Sequence, residues 1–190
     1  MIEKKFDPAK LARLNNPERL NDLPTEVLFN KIKNLKPNII VDLGAGTGFY
    51  SVRLAELFSE AIIYSLDISD ILINWMEKNI ASKFKNIKIM KSHETQLPLQ
   101  DDIADALMMV NLHHELDEPE NLLLECRRIL KPGGIIIISD WKKEEFPKGP
   151  PLEIKIDSNT TADHMKNTGF TNVFIDESLK TNYIITGYKI

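Results

Sequence analysis

Three glycines alternate in the run Asp42-Leu43-Gly44-Ala45-Gly46-Thr47-Gly48, and an acid precedes them. Glycines in that pattern serve where a backbone must turn with φ > 0, or where a ligand must touch it with no Cβ in the way. Apolar residues recur at helical spacing from Phe49 to Phe58, so the loop opens a helix and aims backbone N–H groups at whatever sits above it. Two ligand chemistries compete for such a loop. A dinucleotide pyrophosphate calls for G-x-G-x-x-G. Here the spacing is G-x-G-x-G, and Phe49 stands where the third fingerprint glycine belongs. Asp42 places a carboxylate beside the loop, which disfavours a pyrophosphate and suits a cation or a zwitterion. Asp67 ends the run Tyr64-Ser65-Leu66, roughly 20 residues past the glycines, where a strand-end acid holds a ribose diol. Its competing role is to cap the next helix, for which Ser69 and Asp70 are better placed.

Proton chemistry has its own candidates. His113 and His114 follow an apolar run, and histidine is poised for proton transfer near neutral pH. Either one serves as a general base in the ligand crevice, or one of the pair packs or caps the region that follows. His93, Glu94, His113, His114 and Glu115 fall at one sheet edge, but no recognised ligand spacing such as H-E-x-x-H joins them, so no metal is expected. Trp141 forms an aromatic wall of the ligand crevice or packs beneath its loop. Cys126 shares helical spacing with Leu122, Leu123 and Ile129 and reads as a core residue.

The elements that must hold these groups follow from the hydrophobic pattern. Phe6 to Leu35 is polar with spaced apolar residues, and Asp7-Pro8, Asn16-Pro17 and Leu23-Pro24 mark the starts of three short helices, the last from about Pro24 to Leu35. These cover the sheet or form a flap over the ligand site. Strands are expected at Ile39–Leu43, Ala61–Leu66, Ile87–Lys91, Ile103–Val110 and Gly134–Ser139, with helices at Gly48–Phe58, Asp70–Lys83 and Pro119–Leu130 between them. The strands are continuous apolar runs, as when helices cover both faces, and the alternation predicts a mostly parallel, doubly wound sheet. A charged, Pro-rich loop runs from Trp141 to Pro151, and a short helix near Thr160–Thr168 stops at Gly169. Two strands near Asn172–Ile175 and Tyr183–Ile190 form an antiparallel pair. Ligands bind outside the carboxyl ends of such strands. That gathers Gly44–Gly48, Asp67, Ser92–Glu94, Asn111–His114 and Asp140–Lys142 in one crevice.

Composition sets the limits. A chain of 190 residues with 43% hydrophobic and 27% charged residues suits one soluble domain with a single sizeable core. We divide it into an N-terminal helical cap (1–36), a cofactor-binding core (37–140), and an acceptor loop with the C-terminal strand pair (141–190). The net charge is −4 with scattered Lys and Arg, so no electrostatic footprint for nucleic acid exists. No apolar run approaches a membrane span, no signal-peptide core follows Met1–Lys5, and the lone cysteine fits a reducing cytoplasm. No sequence feature reports on oligomeric state.

The run Val-Asp-Leu-Gly-Ala-Gly-Thr-Gly resembles the first motif of class I S-adenosylmethionine-dependent methyltransferases. The resemblance continues through Asp67, Gln96-Leu97-Pro98-Leu99, Asp105 with Ala106–Val110, and Leu112-His113-His114-Glu115-Leu116, and ends in Leu130-Lys131-Pro132-Gly133-Gly134-Ile135. It spans roughly Ile39 to Ser139 and looks most like the ubiquinone/menaquinone-biosynthesis-like, small-molecule branch. It implies a Rossmann-like α/β sheet of seven strands in the order 3-2-1-4-5-7-6, with the last strand antiparallel. It also implies S-adenosylmethionine as cofactor and a small-molecule methyl acceptor. Gly44 and Gly46 would let the methionine part lie against the backbone, supported by Asp42. Asp67 would hold the ribose hydroxyls, and Asn111 would offer a backbone carbonyl beside the sulfonium. The family's Gly-Asp-Ala after the third strand is here Ser92-His93-Glu94, so Glu94, or a backbone group at His93, takes the adenine contact. Asn-Pro-Pro-Tyr is absent after the fourth strand, which argues against amino methylation of DNA bases or glutamine. Two alternatives stand beside this reading: a nicotinamide oxidoreductase on a related sheet, and a binding protein that holds the cofactor without catalysis.

Overall fold

The computed structural model describes residues 8–190, so Phe6 and Asp7 lie outside the described residues. Three helices come first, α1 (Pro8–Leu14), α2 (Arg19–Asp22) and α3 (Thr25–Lys33). The alternating part follows as β1 (Ile39–Leu43), α4 (Phe49–Leu57), β2 (Ile62–Asp67), α5 (Asp70–Asn79), β3 (Ile87–Lys91) and β4 (Ala104–Val110). A 3₁₀ turn at His113–Glu115 leads to α6 (Pro119–Ile129), β5 (Leu130–Trp141), a second 3₁₀ turn at Leu152–Ile154, α7 (Ser158–Asn167), β6 (Thr171–Asp176) and β7 (Asn182–Tyr188). One seven-stranded sheet results, in the order β3-β2-β1-β4-β5-β7-β6. The neighbours from β3 to β5 pair in parallel, and β7 runs antiparallel to both β5 and β6. The expected topology is therefore the observed one.

Alternation along each strand splits the interior into two layers. On one face Ile40, Ile63, Met108 and Ile137 pack against α3 and α4 through Leu28, Phe29, Ile32 and Leu54. On the other, Val41, Leu66, Leu107 and Ile138 pack against α6 and α7 through Leu123, Cys126, Ile129 and Met165. Cys126 is fully buried, and burial pushes its thiol far above the ordinary range, so it serves as a small apolar group. Trp75 is partly buried against the first layer.

Two boundaries moved by four residues, and the others by at most two. Helix α5 stops at Asn79 instead of Lys83, because the chain turns at Ile80, whose carbonyl accepts both the Lys83 and the Phe84 N–H. Strand β5 begins at Leu130 rather than Gly134, since Leu130 pairs with Ala104 across a bulge that absorbs Lys131-Pro132-Gly133. Among the described residues no helix is long and apolar enough to cross a membrane.

Candidate active site

The exits of β1 and β2 build the first half of the crevice. Gly44, Gly46 and Gly48 have φ of 70°, 61° and 70°, a left-handed region that L side chains rarely adopt. Their turns let both Gly44 and Ala45 N–H donate to the Leu66 carbonyl at 2.9 Å, and Gly46 N–H donate to Asp67 Oδ2 at 2.8 Å. The loop is thus locked onto β2 as well as β1. A Cβ on Gly44 would come within 2.7 Å of Leu112, whereas one on Gly46 would face Leu14 of α1 at 3.6 Å. Leu112 and α1 therefore lie over the loop, which favours a flap over the site for the N-terminal helices.

Two buried carboxylates flank this loop. Asp42 accepts a 2.5 Å hydrogen bond from Ser51 of α4, tying strand to helix below the glycines. Burial pushes its carboxyl up to about 6, opposed by that bond and by the Arg19 charge. Asp67 accepts from Gly46 N–H through one oxygen and from Ser69 N–H through the other, at 2.9 Å. This corrects the expectation about the cap: Ser69 makes no side-chain cap bond to α5, and the carboxylate of Asp67 holds the N–H of Ser69 instead.

Arg19 of α2 was missed by sequence reasoning, for it sits in a stretch with no motif. Its guanidinium stands 4.9 Å over the Phe49 ring and 5.3 Å over the Tyr50 ring, directly after the glycine loop. It donates to the Leu14 carbonyl at 2.6 Å, and desolvation lowers its pKa. Only its place between two proline-marked helix starts could have drawn attention to it.

At the exit of β3, His93 is exposed and its N–H donates to Gln96 O. Glu94 is half-buried, and its Oε1 accepts from Asp117 N–H at 3.0 Å, tying this loop to the start of α6. Ser92 is buried, and its hydroxyl, like that of Thr47 in the glycine loop, has no hydrogen-bond partner. Ile68, the residue after Asp67, is an apolar side chain left 59% exposed.

The exits of β4 and β5 build the second half. Asn111 is held at φ 53°, its N–H donating to Ser139 O and its Oδ1 accepting from Asn182 of β7 at 2.8 Å. Asparagine tolerates this left-handed conformation better than most residues, and here it is fixed from two sides. The two histidines part company here. His113 is fully buried, with Nε2 3.2 Å from His164 Nδ1 on α7 and Nδ1 unpartnered, and burial lowers its pKa to about 4. The ring of His114 pairs through Nδ1 with Asp140 Oδ1 at 2.7 Å, while its backbone N–H donates to Asp140 Oδ2 at 3.0 Å. Asp140 is 1% exposed and also accepts from Trp141 N–H. The carboxylate thus fixes both the backbone and the imidazole of His114. Nε2 is left 4.0 Å from Glu115 Oε1, beyond hydrogen-bond reach. Trp141 is half-buried under the loop it begins, with Gly149 against its ring. Among the described residues no three His, Cys, Asp or Glu side chains are grouped to hold a metal.

Two open surface grooves lie away from this edge. One of about 610 Å³ lies along α5 and β3 by Phe84, Ile87 and Ile89; the other, of about 410 Å³, lies between α3 and α4. Neither contains the convergent acids, glycines and imidazole, and chemistry decides where the site is.

A seven-stranded sheet of this order, with a glycine cradle and an acid at each of the first two strand ends, defines a nucleoside-cofactor-binding class. Comparison with known proteins makes the class specific. A family model described as a methyltransferase domain matches residues 41–138, about half of the chain. A solved structure of an S-adenosylmethionine-dependent methyltransferase from Aquifex aeolicus superposes with a TM-score of 0.89 at 32% identity, covering 98% of this chain and 100% of that one. The chain belongs to the class I S-adenosylmethionine-dependent methyltransferases. It is also 32% identical over 105 residues to a malonyl-[acyl-carrier protein] O-methyltransferase of Coxiella burnetii, and 28% identical over 144 residues to a demethylmenaquinone methyltransferase of Clavibacter sepedonicus. These matches cover 55% and 74% of this chain but only 34% and 58% of those relatives' lengths.

Proposed function

We propose that this chain transfers the methyl group of S-adenosylmethionine to a small molecule whose accepting atom gives up a proton to His114. The observation that carries the proposal is the 2.7 Å pairing of His114 Nδ1 with the buried Asp140 carboxylate, at the same sheet edge as the glycine cradle. The family supplies the donor half of the reading, and the imidazole–carboxylate pair supplies the acceptor half.

The residues present fit the cofactor. Gly44 and Gly46 present backbone with no Cβ beneath Leu112 and Leu14, where the amino-acid part would lie, and the unpartnered Thr47 hydroxyl lies in the same loop. Arg19, with four of its five N–H donors still open to a ligand, faces this end and suits the cofactor's carboxylate. Asp42 lies below and favours its positive charges. Asp67, at the exit of β2 beside the glycine loop, would take the ribose hydroxyls, and exposed Ile68 beside it offers an apolar face to the adenine ring. The second oxygen of Glu94, or the backbone at His93, takes the adenine amino group. Asn111, fixed at the exit of β4, would offer its carbonyl beside the sulfonium.

Bound there, the cofactor supplies a methyl group already activated on a positive sulfur. The protein then has to align donor and acceptor and exclude water. Helix α1 and the post-β5 loop provide the enclosure. Asp140 accepts the Nδ1 proton of His114, which fixes the tautomer and leaves Nε2 as the base. The acceptor's proton passes to Nε2 as its electron pair takes the methyl group. His113, enclosed against His164, positions the turn that carries His114. The net charge of −4 supports a small acceptor over nucleic acid.

The test is transfer of labelled methyl from S-adenosylmethionine to pooled small hydroxyl and thiol acceptors. The unsubstituted chain should label a product, and His114→Gln should slow the reaction by roughly a hundredfold or more. Label that never leaves the cofactor, or a His114→Gln variant at full rate, would sink the proposal.

A further inference from the structure

Lys155 lies on the acceptor side and has no part in the mechanism above. It is 3% exposed and sits between the 3₁₀ turn Leu152–Ile154 and α7. Lysine is almost never fully buried unless its charge is paired. Among the described residues no carboxylate pairs with this one. Its ammonium donates to the Glu144 carbonyl at 2.7 Å and stands 4.9 Å from the centre of the Phe146 ring and 5.8 Å from that of Trp141. One of three donors is therefore used, and the two rings contribute only cation–π attraction.

The position of this cluster gives the unmet donors a meaning. Trp141 follows Asp140 at the end of β5 and so stands on the opposite face of the sheet, the one toward the N-terminal helices. The loop that folds Phe146 and Lys155 onto Trp141 is pinned to α2 by the ion pair of Lys148 with Asp22 at 2.5 Å. The buried cation thus belongs to the enclosure formed by the post-β5 loop and the N-terminal helices.

We propose that Lys155 anchors the methyl acceptor through a carboxylate. The acceptor's carboxylate takes the place of the Glu144 carbonyl on the ammonium, and its flat apolar part lies against Trp141 and Phe146. A phosphate is the poorer match, for it calls for several donors. Among the described residues Lys155 is the one buried lysine, and the nearby N-terminus of α7 is already capped by Asp157, which accepts from Thr160 N–H at 2.9 Å. The inference rests on the methyltransferase reading and adds the charge of the acceptor to it.

Benzoate and its neutral isostere benzamide are suitable probes. The chain has two tryptophans, so in a Trp75→Phe background the emission reports on Trp141 alone. With S-adenosylhomocysteine bound, benzoate should change that emission saturably and benzamide should bind roughly tenfold more weakly or worse. Lys155→Met should abolish the benzoate response while retaining stabilisation by S-adenosylhomocysteine, and Lys155→Arg should restore part of it. Equal binding of the two probes, binding of neither, or undiminished benzoate binding to Lys155→Met overturns the proposal. So does a Lys155→Met variant that loses S-adenosylhomocysteine and benzoate together, which makes Lys155 a pin for the loop. Failure of the unsubstituted chain to bind S-adenosylhomocysteine brings down the methyltransferase reading itself.

Discussion

The donor and acceptor halves of the crevice are assembled in different ways. The donor half is mostly backbone. Its glycine loop and two acids come from the short stretch Asp42 to Asp67, locked by N–H bonds to Leu66 and Asp67. The acceptor half is mostly side chain. Asn111 meets Asn182, His113 meets His164, His114 meets Asp140, and Lys148 meets Asp22. A backbone cradle presents the same donors whatever side chains surround it, so it suits an invariant ligand such as a cofactor. A set of paired side chains can be re-cut one residue at a time, which is what a choice of acceptor requires.

The two halves also bury titrating groups of opposite kind, and pH should separate them. Asp42, on the donor side, is raised from the ordinary 3.8 to about 6. Between those values the native chain keeps a proton that the unfolded chain has released, so its contribution to stability falls as pH climbs through that window. His113, on the acceptor side, is lowered from the ordinary 6.5 to about 4. There the unfolded chain holds a proton that the native chain lacks, so stability rises with pH over much the same window. Each effect amounts to roughly 3 kcal/mol at full extent. The depressed carboxylates Asp105, Glu125, Asp157 and Asp176 act lower, below their own ordinary values. Urea unfolding from pH 4 to 6.5 should therefore show a steeper rise in stability for Asp42→Asn than for the unsubstituted chain. His113→Gln should turn that rise into a fall. Identical slopes in all three proteins would contradict the opposition of the two halves.

A smaller effect sharpens the boundary between them. Arg19 comes from the N-terminal cap yet is assigned to the donor, through the cofactor's carboxylate. Arg19→Met should weaken S-adenosylhomocysteine roughly tenfold, about 1.4 kcal/mol, and leave 5′-methylthioadenosine, which lacks the amino-acid part, unchanged. Equal losses for both ligands would make Arg19 a packing residue over Phe49 and Tyr50.

The same division explains what could be read from the chain alone. The strand–loop–helix of Ile39 to Phe58 and the acid Asp67 depend on local spacing, and the expected elements formed within a few residues. The cap on α5 was misjudged because Asp67 reaches Ser69 N–H while also holding Gly46, a double duty that spacing does not display. On the acceptor side His114 was legible as a residue type, but its partner Asp140 lies 26 positions away. His113 and His114 are indistinguishable by sequence, and only packing against His164 and Asp140 sends one inward and orients the other. Lys155 and Arg19 stand in segments without motifs, and their unmet donors exist only in three dimensions.

The central claim is that the glycine loop with Asp42 and Asp67 takes a sulfonium nucleoside and not a dinucleotide. Calorimetric titration of the chain with S-adenosylhomocysteine and, separately, with NADH tests it most directly. The account predicts one-to-one binding of S-adenosylhomocysteine with a matching rise in melting temperature, and no heat from NADH. Saturable binding of NADH without binding of S-adenosylhomocysteine would contradict it.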